Sequence, residues 1–177
     1  MEAITINTEK LFDLDNINSF AKEWKEAAIG NKVLAYYCSH MPEEILYAAD
    51  ILPYRLSGTG VTDDSQAETY LSPFSCSFCR ACFQKFLNGS YDFLDGFVAS
   101  DGCLQPQRVF DNWKFYVRKE DQFVHQFNAP RVYDESALGM YRREMLDLKN
   151  AVERFGNYVT NEKLINAIKV YNETRRL

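Results

Sequence analysis

The sequence predicts an α/β fold: an open, mainly parallel sheet flanked by helices, of the Rossmann-like or flavodoxin-like kind, with an N-terminal helix and a C-terminal helical extension. Three observations predict it. VLAYYC (33–38) and GFVAS (96–100) are apolar runs of strand length without alternation, as expected of strands covered on both faces. Strand-like and helix-like segments then alternate through the middle of the chain, the pattern of a parallel sheet built from βαβ units. Helix-start signals follow a strand end, as at Pro42 with Glu43 and Glu44, where proline suits the first turn and carboxylates complement the helix dipole.

Taken in order, Thr8 to Gly30 has helical spacing at Leu11, Leu14, Ile17, Phe20, Trp24 and Ala28, so residues 1–30 are expected to pack as a helix on the neighbouring α/β unit. Residues 31–130 form that unit. After VLAYYC comes a helix through Ile45, Leu46 and Ala49, a second strand at LPYRL and a loop at SGTGVTDD. A short helix at Ala67–Tyr70, a break at Pro73, a helix from Ser77 to Leu87 and a turn at NGSYD precede GFVAS. A helix from about Gln105 to Trp113 and strands at KFYVR and FVHQF complete the unit. Residues 131–177 carry two helical periods, 136–155 and 161–177, broken at Gly156 and Asn157, and the pattern stops at Arg175-Arg176-Leu177 with no terminating signal, as in a chain cut inside a helix.

Composition narrows the class. Of the 177 residues 46 % are apolar and 15 % aromatic, which argues for a packed core. The formal charge of −5 with scattered basic residues gives no reason to expect nucleic acid, and points to a small ligand. No apolar run approaches the roughly 20 residues that cross a bilayer, and the first twenty residues show neither basic leader nor apolar core, so no membrane association and a cytoplasmic location are expected. Five cysteines, an odd number, then read as metal ligands, redox groups or buried thiols before disulfides.

Cys76, Cys79 and Cys82 form CxxCxxC, a spacing used by ferredoxin-type cluster ligands. On a helix, however, Phe78, Cys79, Cys82, Phe83 and Phe86 share an arc of roughly 140°, while Ser77, Arg80, Ala81, Gln84 and Asn88 take the remainder. Cys79 and Cys82 thus lie in an aromatic stripe, where a small buried apolar residue is the simpler reading, although a ligand role stays open. Cys76 stands at the helix margin, where free amides suit a thiolate ligand, and Cys103 ends a strand before a helix, at the sheet edge where ligands collect. These two are candidates to meet at one cofactor. Cys38, two residues before His40, also ends a strand, and a Cys–His nucleophile is conceivable but has no local support. Neither His40 nor His125 has zinc-knuckle spacing, and the glycines of GTG at 58–60 lack the rest of a dinucleotide loop.

YYCSHMPEEILYAADILPYRL, YLSPFSCSFCRACF, YDFLDGFVASDGC and QRVFDNW, in that order, resemble the motifs of the 2-hydroxyacyl-CoA dehydratase and benzoyl-CoA reductase family, and the tail through RREMLDLKNAVERFG and INAIKVYNETRRL resembles its helical segment. The resemblance covers nearly all of this chain and about the first half of a family subunit, which implies that residues 131–177 are a helical segment leading to a second domain absent from this chain. It implies a subunit of an oxygen-sensitive heterodimeric enzyme with a [4Fe–4S] cluster held by the cysteines matching Cys76 and Cys103 and by a third in the second domain. It also implies an acyl-CoA substrate, a related second subunit and a separate ATP-hydrolysing iron–sulfur activator. The implied chemistry is a one-electron reduction of the thioester to a ketyl radical that expels hydroxide, after which the β-proton becomes acidic; the benzoyl-CoA branch reduces an aromatic ring instead.

On this basis Cys76 and Cys103 are expected as metal ligands and Cys38 near the cluster's open iron, where some family members carry serine. Arg80 is expected to hydrogen-bond cluster sulfides or a nearby carboxylate, or simply to be exposed. Asp101 either orients the Cys103 loop or caps the following helix. Glu43 either complements the helix dipole or transfers a proton. The alternative from another class is a non-catalytic partner or a fragment without a cluster.

Overall fold

A computed structural model describes residues 14–176 of the chain. The start of the N-terminal helix expected from Thr8, and its Leu11, lie outside the described residues. Four strands, β1 (Lys32–Tyr36), β2 (Ile51–Arg55), β3 (Gly96–Ser100) and β4 (Phe123–Phe127), form a parallel sheet in the order β2-β1-β3-β4. This is the order of the first four strands of a flavodoxin-type doubly wound sheet, whose ligand crevice lies between β1 and β3. The described helices are α1 (Leu14–Ala27), α2 (Glu43–Ala48), α3 (Ser65–Glu68), α4 (Ser77–Leu87), α5 (Leu104–Asn112), α6 (Glu135–Phe155) and α7 (Asn161–Arg176).

Strand alternation divides the core in two. Val33, Ala35, Tyr37, Phe97 and Ala99 face Phe83 and Phe86 of α4 and Val109 and Phe110 of α5. Leu34, Tyr36, Val98 and Phe127 face α2, α6 and α7, represented by Leu46, Leu148, Val152 and Ala167. Because β1 and β3 are interior strands covered on both sides, every residue of GFVAS is buried, which explains its unbroken apolar character. α1 closes the first face through buried Ala21, and Lys25 reaches the Phe93 carbonyl at 2.7 Å and the Asp95 carboxylate at 3.0 Å. Gly30, at φ 99°, ends this helical segment in a conformation that glycine adopts readily.

Two expectations are corrected. KFYVR is not a strand: Trp113–Val117 continues α5 as a π-helical turn closed by Arg118 N–H donating to the Trp113 carbonyl at 2.8 Å. A short apolar run has no decisive period. Here Trp113 decides it, for its ring is 2 % exposed and packs edge-on against Phe97 at 5.5 Å, holding the chain wound while Phe115 and Tyr116 point outward. On α4 the apolar arc is present, but Phe78 is 44 % exposed and Gln84 is buried. Gln84 lies beneath α3, accepting from Ala67 N–H at 3.1 Å and donating to Gln66 Oε1 at 3.0 Å.

Gly96 marks the tightest point of the sheet, since a Cβ there would stand 2.3 Å from the Phe123 carbonyl oxygen and 2.6 Å from the Phe123 Cβ. Gly96→Ala is therefore expected to lower stability by about 2 kcal/mol through overpacking between β3 and β4. Gly139→Ala, within α6 where a Cβ meets only the Arg143 guanidinium tip at 3.9 Å, is expected to raise it by about 0.5–1 kcal/mol. Urea unfolding of the two variants beside the parent checks both signs.

Candidate functional site

Parallel strands deliver their following loops to one edge of the sheet, and the chain places its chemistry there. The β1 loop carries Cys38 and His40, and the β3 loop carries Asp101, Gly102 and Cys103. α4, running back between β2 and β3, starts at this edge with Cys76. The β1 and β3 loops are in contact: a Cβ on Gly102 would stand 3.0 Å from His40 Nδ1 and 4.0 Å from Cys38 Sγ. Glycine at 102 is what lets these loops close over the crevice between β1 and β3.

Cys76 is the N-cap of α4 and Cys103 the N-cap of α5. Neither sulfur accepts a capping hydrogen bond, and both are exposed. Behind them, Cys79 and Cys82 are buried at 2 % and 0 % exposure. Burial pushes the Cys79 thiol up to about 12, and the nearby Cys76, Cys82 and Cys103 sulfurs add to the shift. Burial likewise raises Cys82 to about 12, against the opposing effect of the Tyr37 hydroxyl beside it. Tyr37, wholly buried, has its phenol raised first by burial and then by Cys82 and Cys79; apart from the Cys82 sulfur it faces, its hydroxyl has no hydrogen-bond partner among the described residues. Cys38 is half-buried against the same core.

Of the partners expected for Arg80, the carboxylate is present. Its Nε donates to Asp64 Oδ2 at 2.8 Å, with Glu68 at 3.8 Å, and its Nη1 donates to the carbonyls of Pro73 at 2.6 Å and Ser75 at 2.9 Å. The guanidinium therefore grips the segment that delivers Cys76. Asp101 is not the cap of α5. Its Oδ1 accepts from Ala129 N–H at 3.0 Å and its carbonyl accepts from Arg131 Nη2 at 2.8 Å, tying the β3 loop to the chain leaving β4.

Glu43 lies in the first turn of α2, its carboxylate beside the hydroxyl of Tyr36, a residue of the opposite core. Burial and this carboxylate push the Tyr36 phenol far up. Glu44 pairs with Arg175 of α7. Sequence reasoning missed Asp64, Arg131 and Tyr37. Only Tyr37 had a readable signal, its inward parity on the strand leading to Cys38.

Two clefts meet at His40 on this edge. One of about 360 Å³ is lined by Ser39, Pro130, Tyr133 and Tyr141; the other, of about 400 Å³, runs between α2, α6 and α7 past Ile45, Met145, Ile168 and Arg175. Among the described residues no three His, Cys, Asp or Glu side chains are grouped as a ready metal site. Cys76 and Cys103 fit as two sulfur donors, because their thiols are exposed, uncapped and set beside free helix-terminal amides.

A family model described as 2-hydroxyglutaryl-CoA dehydratase, D-component, matches residues 38–177. The chain is 30 % identical over 160 residues to a benzoyl-CoA reductase subunit of Thauera aromatica, covering 89 % of this chain and 41 % of that protein. It is 25 % identical over 176 residues to the (R)-phenyllactyl-CoA dehydratase beta subunit of Clostridium sporogenes, covering 97 % and 46 %. It is 28 % identical over 154 residues to the beta subunit of (R)-2-hydroxyglutaryl-CoA dehydratase of Acidaminococcus fermentans, covering 85 % and 40 %. The chain thus spans less than half the length of these relatives.

The two-layer arrangement of thiols sets a pH dependence. A thiol raised by burial leaves stability intact below its ordinary value near 9, and stability is lost as pH climbs toward the folded value of about 12. Each such group contributes a slope of about 1 kcal/mol per pH unit in that window. At pH 8 a brief iodoacetamide pulse on the reduced chain is expected to label Cys76 and Cys103 and to spare Cys79 and Cys82, as read by peptide mass mapping. Arg80→Ala is expected to speed hydrogen exchange over residues 72–76 by roughly tenfold or more, since hydrogen bonds from a charged donor are lost. Unchanged exchange there would show that the clamp holds nothing.

Proposed function

The chain belongs to the 2-hydroxyglutaryl-CoA dehydratase D-component family, and from that premise we propose that it is a subunit of an iron–sulfur, reductively activated 2-hydroxyacyl-CoA dehydratase. The reaction is loss of water from a 2-hydroxyacyl-CoA to give a 2-enoyl-CoA. The observation that carries the reading is the pair of exposed, uncapped thiols, Cys76 and Cys103, at the starts of the two helices that flank β3 in the chain, on the edge of the sheet where its strands end. A [4Fe–4S] cluster bound there would supply low-potential electrons to the substrate thioester.

The chain's own contribution is positional. Arg80 fixes the approach to Cys76, and Asp101 with Arg131 fixes the loop before Cys103. The packed rings of Tyr37, Phe83 and Phe97 beneath the thiols exclude water from one side. Cys38 and His40, touching the Cys103 loop at Gly102, stand where a bound thioester would be turned toward the cluster, and the clefts at His40 offer it room. A third cluster ligand comes from outside these residues. A related second subunit and an ATP-hydrolysing iron–sulfur activator complete the proposed enzyme, which works in the cytoplasm.

The second reading, a subunit of an ATP-dependent benzoyl-CoA reductase, is favoured by the 30 % identity to a subunit of that enzyme. The two readings share the cluster and differ in substrate. In the enzyme assembled without oxygen, Cys76→Ser and Cys103→Ser are each expected to remove most of the roughly four irons of the cluster. Iron content unchanged in both variants would overturn the assignment. With an activator supplying electrons, water loss from a 2-hydroxyacyl-CoA supports the dehydratase, and ring reduction of benzoyl-CoA supports the second reading.

A further inference from the structure

The CxxC that opens α4 is arranged for a chemistry that needs no iron. Cys76 is the N-cap, and Cys79 is the third residue of the helix. Helix geometry sets Cα atoms three residues apart at about 5 Å, inside the span of about 4.4–6.8 Å that a disulfide bridges. N-cap and third-residue side chains also face each other, which is how a capping box closes. Here both are sulfurs. Cys76 is exposed and free of any capping bond, whereas Cys79 is buried directly behind it. An accessible attacking sulfur with a shielded resolving sulfur at a helix start is the layout of a dithiol redox pair.

The competing pairings are less favourable. Cys82 lies one turn from Cys79, fully buried beside Tyr37. Cys103 starts a different helix and is held by the Asp101 contacts to the chain leaving β4. The approach to Cys76, by contrast, is fixed relative to α4 itself, because Arg80 of that helix holds the Pro73 and Ser75 carbonyls. Closing a 76–79 bond therefore requires little more than side-chain rotation.

We propose that Cys76 and Cys79 are a reversible dithiol–disulfide pair that exchanges with small-molecule disulfides when Cys76 carries no iron. Cys76 sulfur, as thiolate, attacks one sulfur of the small disulfide, forming a mixed disulfide and releasing one thiolate. Cys79 then gives up its proton and attacks Cys76 Sγ, breaking the mixed bond and releasing the second thiolate. The released thiolates take up the protons. The two protein thiols are oxidised by two electrons in total and the small disulfide is reduced to two thiols. In the closed form the Cys76 sulfur is no longer available as a ligand. This exchange is independent of the substrate and the cluster, since it belongs to the iron-free chain.

The test equilibrates the reduced, iron-free 177-residue chain in glutathione buffers of increasing oxidised fraction, followed by acid quench, alkylation under denaturing conditions and peptide mass mapping. The expected result is a peptide cross-linked between residues 76 and 79 that has lost two hydrogens, while Cys38 and Cys103 remain alkylatable. Cys79→Ser is expected to stop at a glutathione adduct on Cys76, and Cys82→Ser to behave as the parent. If Cys79→Ser does not fold, the parent map decides alone. Cys76 and Cys79 both fully alkylated in the most oxidising buffer, or Cys76 found linked to Cys103, overturns the proposal.

Discussion

The parallel pairing of β1 with β3 is the constraint on which the rest depends. Both strands are interior, so their register is set by side chains on two faces at once, and a slip of one residue would turn Tyr37 and Phe97 out of their shared core. The register is pinned at the far end by Asp95. Its N–H donates to the Val33 carbonyl at 2.8 Å, its carbonyl accepts from Phe123 N–H at 2.8 Å, and its carboxylate accepts from Val33 N–H at 2.8 Å. One residue thus ties β1, β3 and β4 together where they start. The opposite ends emerge side by side, which is why Cys38 and Gly102, 64 positions apart in sequence, become neighbours.

Given that frame, the site is made by helix starts rather than by a preformed cage. A helix start presents amides without intrahelical partners. At both α4 and α5 the N-cap is a cysteine that leaves them unbonded by its side chain, where serine, threonine, asparagine or aspartate would accept from them. The stability given up at each cap, about 1 kcal/mol, is the ordinary cost of holding a functional atom there. α6 shows the contrast, because Asp134 caps it by accepting from Ala137 N–H at 2.7 Å and that end of the chain carries no thiol.

How much of the fold and site was legible in the sequence depends on the range of each interaction. VLAYYC and GFVAS could be read as doubly covered strands because burial on both faces leaves its mark on consecutive residues. The inward arc of α4 was equally local, and it separates Cys79 and Cys82 from Cys76 without any tertiary information. The failures are long-range. Nothing near Trp113 in sequence says that Phe97 and Phe86 will hold it, so KFYVR looked as extended as FVHQF. Gln84 looked solvated because α3, which satisfies it, sits 17 residues away from it at Ala67. Arg80 had an expected carboxylate but no named one, since Asp64 is 16 residues upstream across a loop. Glu43 follows Cys38 by five residues, and only the alternation of β1 reveals that its neighbour Tyr36 belongs to the other face.

The same alternation explains why the two cysteine layers differ in chemistry although they share a helix. Cys82 packs in the same core as Tyr37, Phe83 and Phe97, and a thiol there is a small, largely apolar group set beside the Tyr37 phenol. Cys79 sits one turn nearer the helix start, equally buried by area, at the third helical position that faces the N-cap Cys76. An alanine would fill that inward position nearly as well, so packing alone does not call for sulfur. The proposed pairing with Cys76 does, because only a second sulfur lets the exposed one be covered covalently and released again by reduction.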